Sequence, residues 1–458
     1  MNKYLFILGL AGTALFSACS TSDDLTSEEP NGAPAVDKAK EAALILEARQ
    51  DSEIPITLGT GERRGMTRAP LDPGVGGVFS TEPGKYLGVF CLATGYQSSY
   101  ASNPPIANNW TNDDATGLIV RMKNVPATVT AGNVAFTDHN YYYPIGNWMT
   151  YNFYAYYPRQ DETVTIDGDD KTTITFSDNQ VLEKYYEIDG SQDIIWGMSN
   201  PSDAVPVTPA ATDAAPYCAK YSRLKKAEGA PEADYLPKLS FEHKLVQFRF
   251  FVKAAKIDPA DDDNHVIRDN LINMNLQVTD MYIDNAIYRL SLIVANKNPE
   301  TQYKNGQLSM MGKSVLTKAL RIKEMGTDNN RFGAAYPVDG DSDSHPDWVD
   351  KISDYSTPVG YIMLARPDVA YEKDANFKYS LIVKVQYDAG TGTDINSVAI
   401  RLDPPASGFE EGKIYNILVN VQSPEMISAK AVLQAWEPWD SNNDGSIDGN
   451  DVIEYVSD

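Results

Sequence analysis

Apolar residues recur along this chain in short runs, and each run stops at a glycine, a proline or an acidic turn. The run Tyr151-Asn152-Phe153-Tyr154-Ala155-Tyr156-Tyr157 repeats aromatics with period two and ends at Pro158, as a β-strand does. Thr163 to Phe176 places β-branched residues on both sides of Asp167-Gly168, which predicts a hairpin. The same pattern predicts strands at 53–59, 86–92, 193–197, 238–252, 274–284, 287–294, 316–322, 359–365, 378–388, 396–402, 413–422 and 427–436. Helical periodicity is scarce, with one short helix predicted over 37–49. Many short strands separated by turns predict an all-β chain of two β-sandwiches. Residues 199–238 are rich in Pro, Ala and Asp without periodicity, and read as the domain boundary or a long surface loop.

Composition agrees with this picture. The chain has 458 residues and is 42% hydrophobic, enough to build packed cores. Its 27 tyrosines suit half-buried sheet faces. With 63 acidic against 39 basic residues, the net charge of -24 argues against a nucleic-acid partner, because binding phosphates requires a basic surface.

The first residues read differently from the rest. Asn2-Lys3, an apolar run from Tyr4 to Phe16, and Ser17-Ala18-Cys19-Ser20 form an export signal with a lipoprotein cleavage site. The run is shorter than the roughly 20 residues a membrane-spanning helix needs. Removal of residues 1–18 leaves Cys19 as a lipidated N-terminus. Residues 20–36, rich in Ser, Thr, Asp, Glu and Pro, read as a flexible tether. A basic stretch follows, Glu62-Arg63-Arg64-Gly65-Met66-Thr67-Arg68-Ala69-Pro70, conspicuous in so acidic a chain.

Candidate chemistry is sparse. Cys91 and Cys218 could pair as one disulfide in an exported protein, or pack as two buried thiols; Cys91 sits in an apolar strand, where the second reading is favoured. The histidines at 139, 243, 265 and 345 show no metal spacing, and His243 reads as a packed or edge residue. Asp261-Asp262-Asp263 reads as a solvated loop. No phosphate-cradling glycine loop or nucleophile elbow is present, so the expectation is not an enzyme.

Several blocks, in order, resemble the Bacteroidetes fimbrillin-like (type V pilin) family of surface lipoproteins. They are the lipidation site with Ser22-Asp23-Asp24, Met66-Thr67-Arg68-Ala69 before Gly88-Val89-Phe90, Tyr141-Tyr142-Tyr143-Pro144 with Trp148, and Asn152 to Pro158. Then come Asp193-Ile194-Ile195-Trp196-Gly197, Leu239 to Leu245, Gly412-Lys413-Ile414-Tyr415-Asn416-Ile417, and Val432 to Trp436. The resemblance implies two transthyretin-like (Greek-key) β-sandwich domains and a structural pilin subunit serving cell adhesion. It implies a lipidated, palmitate-bearing precursor at the outer membrane surface. An arginine-specific protease cuts after Arg68, with Arg63 and Arg64 as alternatives. Loss of the first strand opens a groove that another subunit fills by donor-strand exchange, building a fimbrium. The domain boundaries that follow are a signal peptide at 1–18 and a tether and propeptide with the first strand at 19–68. An N-terminal sandwich at 69–237, a C-terminal sandwich at 238–436 and a tail at 437–458 complete the chain.

The tail carries two further candidates. Val452, Ile453, Tyr455 and Val456 form a short terminal run suited to a donor strand. Before it, Asp440, Asn442, Asp444, Ser446, Asp448 and Asp451 have the spacing of a twelve-residue calcium loop, with Gly445 at the sharp turn. The alternative is an acidic turn between strands, and the family resemblance does not supply a calcium site. A second function class stays open, an outer-surface lipoprotein that keeps its lipid and binds glycans through Trp110 and Trp348. The partners expected are other pilin subunits, the processing protease and an unidentified surface ligand.

Overall fold

The computed structural model describes residues 46, 54–61, 81–96, 122–130, 133–143, 149–160, 163–166, 169–172, 181–199, 217–254, 270–271, 273–296, 304–311, 315–324, 359–370 and 374–433. By contacts the chain divides into Met1–Glu47 and Ala48–Asp458. Of the first unit, and of the helix expected at 37–49, Leu46 alone is described; it is helical and exposed.

The second unit is built of strands. They run β1 (Leu58–Gly61), β2 (Leu87–Tyr96), β3 (Val125–Thr130), β4 (Asn133–Phe136), β5 (Met149–Tyr157), β6 (Thr163–Ile166), β7 (Asp169–Thr172), β8 (Val181–Glu187) and β9 (Ile195–Met198). Two short helices follow, α1 (Ala219–Ala227) and α2 (Glu232–Tyr235). The chain resumes with β10 (Lys238–His243), β11 (Val246–Ala254), β12 (Gln277–Ile287), β13 (Arg289–Asn296), β14 (Leu308–Met310), β15 (Thr317–Arg321) and β16 (Lys323–Glu324). It ends in β17 (Gly360–Leu364), β18 (Ser380–Asp388), β19 (Thr393–Arg401), β20 (Ile414–Val421) and β21 (Ile427–Leu433).

Seven of these strands form a sheet that closes on itself in the order β1-β10-β9-β5-β2-β3-β4, with β1 pairing back to β4. A three-stranded sheet, β14-β13-β8, covers one face of it. Lys184 on β8 lies 5.2 Å from the Tyr156 ring centre, and Trp196 Nε1 donates to the Val294 carbonyl at 2.8 Å. The remaining strands form a five-stranded sheet, β16-β17-β11-β20-β21, and a four-stranded sheet, β15-β12-β18-β19. Phe248 of the first packs edge-on to Tyr379, which precedes β18, and to Phe409, so these two sheets share a core. The predicted hairpin is present as β6 and β7, paired Ile166↔Asp169 across the expected turn.

The all-β class is as expected, and the structure refines two details. Tyr185, Tyr282, Tyr288, Tyr361 and Tyr387 are half-buried as expected, but Tyr151, Tyr156, Tyr157, Tyr221, Tyr379 and Tyr415 are fully buried. For Tyr151, Tyr156 and Tyr157 the reason is that β5 is packed on both faces and has no solvent side. The predicted strand at 238–252 is two strands in two sheets. Leu239 and Phe241 point inward from odd positions, whereas Val246, Phe248, Phe250 and Val252 do so from even ones. That one-residue change of phase falls at Lys244-Leu245, where the chain leaves the closed sheet for the five-stranded one.

Candidate functional site

The segment 54–61 closes the seven-stranded ring. On one side β1 runs parallel to β10, with Gly59↔Lys238, Thr60↔Leu239 and Gly61↔Ser240. On the other it runs antiparallel to β4, with Leu58↔Val134 and Gly59↔Asn133. Upstream of β1, the Ile56 amide donates to the Tyr141 carbonyl at 2.8 Å, and the Tyr143 amide donates to the Ile54 carbonyl at 3.1 Å. The Gly59 amide donates to the Pro237 carbonyl at 3.0 Å. Alternation does the rest: Ile56 and Leu58 are each 3% exposed, while Pro55 between flanking positions faces solvent.

The hold of this strand is moderate. Two buried aliphatic side chains contribute about 1.5–3 kcal/mol each. The strand itself, Leu-Gly-Thr-Gly, contains two glycines, which weaken a strand because they pack no side chain. Its withdrawal would leave the edges of β4 and β10 unpaired and uncover an apolar slot floored by Tyr141, Tyr143, Val134 and Leu239, all buried. An unpaired edge beside an apolar slot is the arrangement that accepts an added strand.

The wall at 138–143 is braced by polar contacts. Tyr141 donates its hydroxyl to Asp138 at 2.6 Å, and the His139 amide donates to the same carboxylate at 2.8 Å. Burial pushes the Asp138 pKa up, but these hydrogen bonds outweigh it and hold the carboxyl below its usual range. The opposite wall includes a buried pair, with His243 Nδ1 2.5 Å from Asp193 Oδ2. His243 is therefore a packed residue, as its strand position predicts. The pairing itself is not predicted, although Asp193 and His243 each lie within a segment the pattern predicts as a strand.

Lys244 next to it pairs with Glu411 and, at 3.4 Å, with Glu242, at the point where the chain changes sheets. Among the described residues no group of three His, Cys, Asp or Glu side chains is placed to hold a metal ion. No helix among them is long and apolar enough to cross a membrane.

Cys91 and Cys218 are both buried thiols. Cys19, Arg63, Arg64, Arg68, Trp110, Trp348, the loop Asp440, Asn442, Asp444, Ser446, Asp448 and Asp451, and the run Val452, Ile453, Tyr455 and Val456 all lie outside the described residues.

No family model matches the chain, and no curated protein sequence matches it. Solved structures are similar to it at low identity. A proposed cell adhesion protein of Bacteroides uniformis is 12% identical, with TM-score 0.40, over 84% of this chain and 99% of that one. A fimbrilin of Porphyromonas gingivalis is 11% identical, with TM-score 0.35, over 84% and 98%. The fimbrial anchor protein Mfa2 of the same organism is 9% identical, with TM-score 0.29, over 83% and 98%.

Proposed function

We propose that this protein is a fimbrial subunit serving cell adhesion, assembled by strand exchange. In this reading the precursor is exported, lipidated at Cys19 and carried to the outer membrane surface. An arginine-specific protease then cuts after Arg68, and the piece bearing β1 departs. The slot it vacates takes the C-terminal strand of another copy, through Val452, Ile453, Tyr455 and Val456. In this reading there are two transthyretin-like sandwiches, one layered from the closed sheet and β14-β13-β8, the other from the five-stranded and four-stranded sheets.

One observation carries the reading. The strand that closes the ring is the first among the described residues, and the arginine-rich segment follows it directly in sequence, before β2 begins. A single cut at Arg68 severs the closing strand from the six it joins. It leaves the rest of the sheet covalently intact.

Treatment of the purified precursor with an arginine-specific protease tests this. The expected result is Ala69 as the new N-terminus and a ladder of oligomers on gels after mild heating in detergent. Arg68→Ala removes both. A protein that is cut at Arg68 and stays monomeric refutes strand exchange. A mature surface protein that keeps lipid-modified Cys19 favours the anchored, glycan-binding alternative.

A further inference from the structure

The five-stranded sheet buries residues on both of its faces, although one face alone meets the four-stranded sheet. Val246, Phe248 and Phe250 on β11, with Tyr415 and Ile417 on β20, line the shared core. The residues between them point the other way. They stand in rows across the two parallel strands: Gln247 beside Ile414, Arg249 beside Asn416 and Phe251 beside Leu418. On β21, Val432 lies opposite Asn416 and so joins this outer face. The outer face of such a sheet is ordinarily polar and wet. Here Phe251 is 3%, Ile414 9% and Gln247 2% exposed. Neither Phe251 nor Ile414 belongs to the apolar cluster that fills the two sandwiches, so something other than that core covers them.

Gln247 indicates what the cover is made of. Its Oε1 and Nε2 are both buried, and neither has a hydrogen-bond partner among the described residues. Asn416 Oδ1, in the adjacent row, is likewise buried and unpaired. Buried amides are nearly always hydrogen-bonded, because leaving one unmade is costly. A primary amide offers both donors and an acceptor, which is the complement of a peptide backbone.

The place of this gap points to its occupant. β21 ends with Leu433 opposite Tyr415, so the chain leaves the sheet beside Ile414, about 10 Å or two strand spacings from Gln247. The sequence continues Gln434-Ala435-Trp436-Glu437-Pro438-Trp439. Continued with period two, the alternation that puts Val432 on the outer face puts Trp436 there as well. Pro438 lacks an N–H and stops the ladder, so the chain must turn away from the edge at that point. The other long segment nearby, 325–358, leaves β16 opposite Gly360, which pairs with Phe250 at the end of β11 away from Gln247.

We propose that Trp436-Glu437-Pro438-Trp439 of the same chain folds back across the outer face of the five-stranded sheet. The two indoles cover Ile414, Leu418 and Phe251. An indole N–H donates to Gln247 Oε1, and a backbone carbonyl of the segment accepts from Gln247 Nε2. Tryptophan suits the task, since it buries a large apolar surface and still carries one donor. The clasp also fixes where the terminal run is launched. Residues 440–451 then span at most about 40 Å to Val452. That consequence rests on the strand-exchange reading; the docking itself does not.

Two measurements on the monomeric, uncut precursor test this, and neither depends on cleavage at Arg68 or on polymerisation. First, photoreactive benzoylphenylalanine in place of Trp439 should cross-link within the chain, to the peptides holding 247–251 or 414–418. Cross-links to 325–358, cross-links between chains alone, or none at all overturn the proposal. Second, chymotrypsin should cut after Trp436 slowly in the native chain, and Gln247→Ala should speed that cut roughly 2-fold to 10-fold, the effect of losing one or two hydrogen bonds. An unchanged rate, or equal acceleration at sites throughout the chain, also overturns it.

Discussion

Leu58→Ala should loosen the ring at its closing strand and nowhere else. Leu58 is 3% exposed and sits opposite Val134, in a segment whose other anchors are Ile56 and a few backbone hydrogen bonds. Truncating a buried leucine costs about 2–5 kcal/mol, part lost burial and part cavity. A tenfold change in an equilibrium takes about 1.4 kcal/mol. Local opening of β1 should therefore become about 30-fold to 4,000-fold more frequent, up to the limit set by unfolding of the whole ring. Native-state hydrogen exchange reads this directly. The Ile56 and Gly59 amides, bonded to Tyr141 and Pro237, should exchange faster by that factor. The amides that pair β18 with β19 should not change. Thr57→Val removes only an exposed hydrogen bond of 3.3 Å to Glu232 and serves as the control, with little expected effect. Uniform acceleration across both sheets, or none at the Ile56 and Gly59 amides, would refute the view that β1 is a separately releasable seam.

Three other outcomes are expected. Asp138 is held below its usual range, so its contribution is complete above the unfolded carboxylate value near 3.8 and is lost as pH falls through the lower folded value. Exchange at the Ile56 amide should accordingly rise on acidification into that range, and Asp138→Asn should flatten the profile. Gly88→Ala should destabilise by at least about 1–3 kcal/mol in a denaturant titration, because its new Cβ would fall 2.2 Å from Tyr156 Cε1 and 2.5 Å from Asn124 Oδ1. Calorimetric titration of the full chain should show one calcium ion bound through the loop that starts at Asp440, and Asp444→Ala should abolish it; no heat with the wild-type chain would remove the loop from consideration.

Much of the strand order was legible because period-two runs survive wherever a strand has a clean inner face. The strand at 151–157 and the hairpin at 163–176 emerged near their true bounds for that reason. Others were hidden. β3 contains Pro126, which reads as a break, and β4 has only four residues. β8 mixes Glu183 and Lys184 with aromatics, and Lys184 is buried over the rings of Phe90 and Tyr156 rather than facing solvent. α1 lacks an oxygen-bearing N-cap and uses the Cys218 sulfur instead, so it carries no ordinary start signal. The closing role of β1 was implied only by the family resemblance, and its partner was not legible. It depends on pairing with β10, a partner that no local pattern can identify.

That pairing also sets the order in which the molecule can be made. β4 is available soon after β1 emerges, but β10 comes only after most of the first half of the chain has been synthesised. Closing so long a loop is slow, because its entropy is lost before any contact forms in return. The seam is thus completed late, by the most sequence-distant pairing in its sheet. Until then the leading segment is held on one edge alone. A contact made last and by few residues adds little to the transition state for folding and opens most readily afterwards. The first described strand is, in kinetic terms, the last of its sheet.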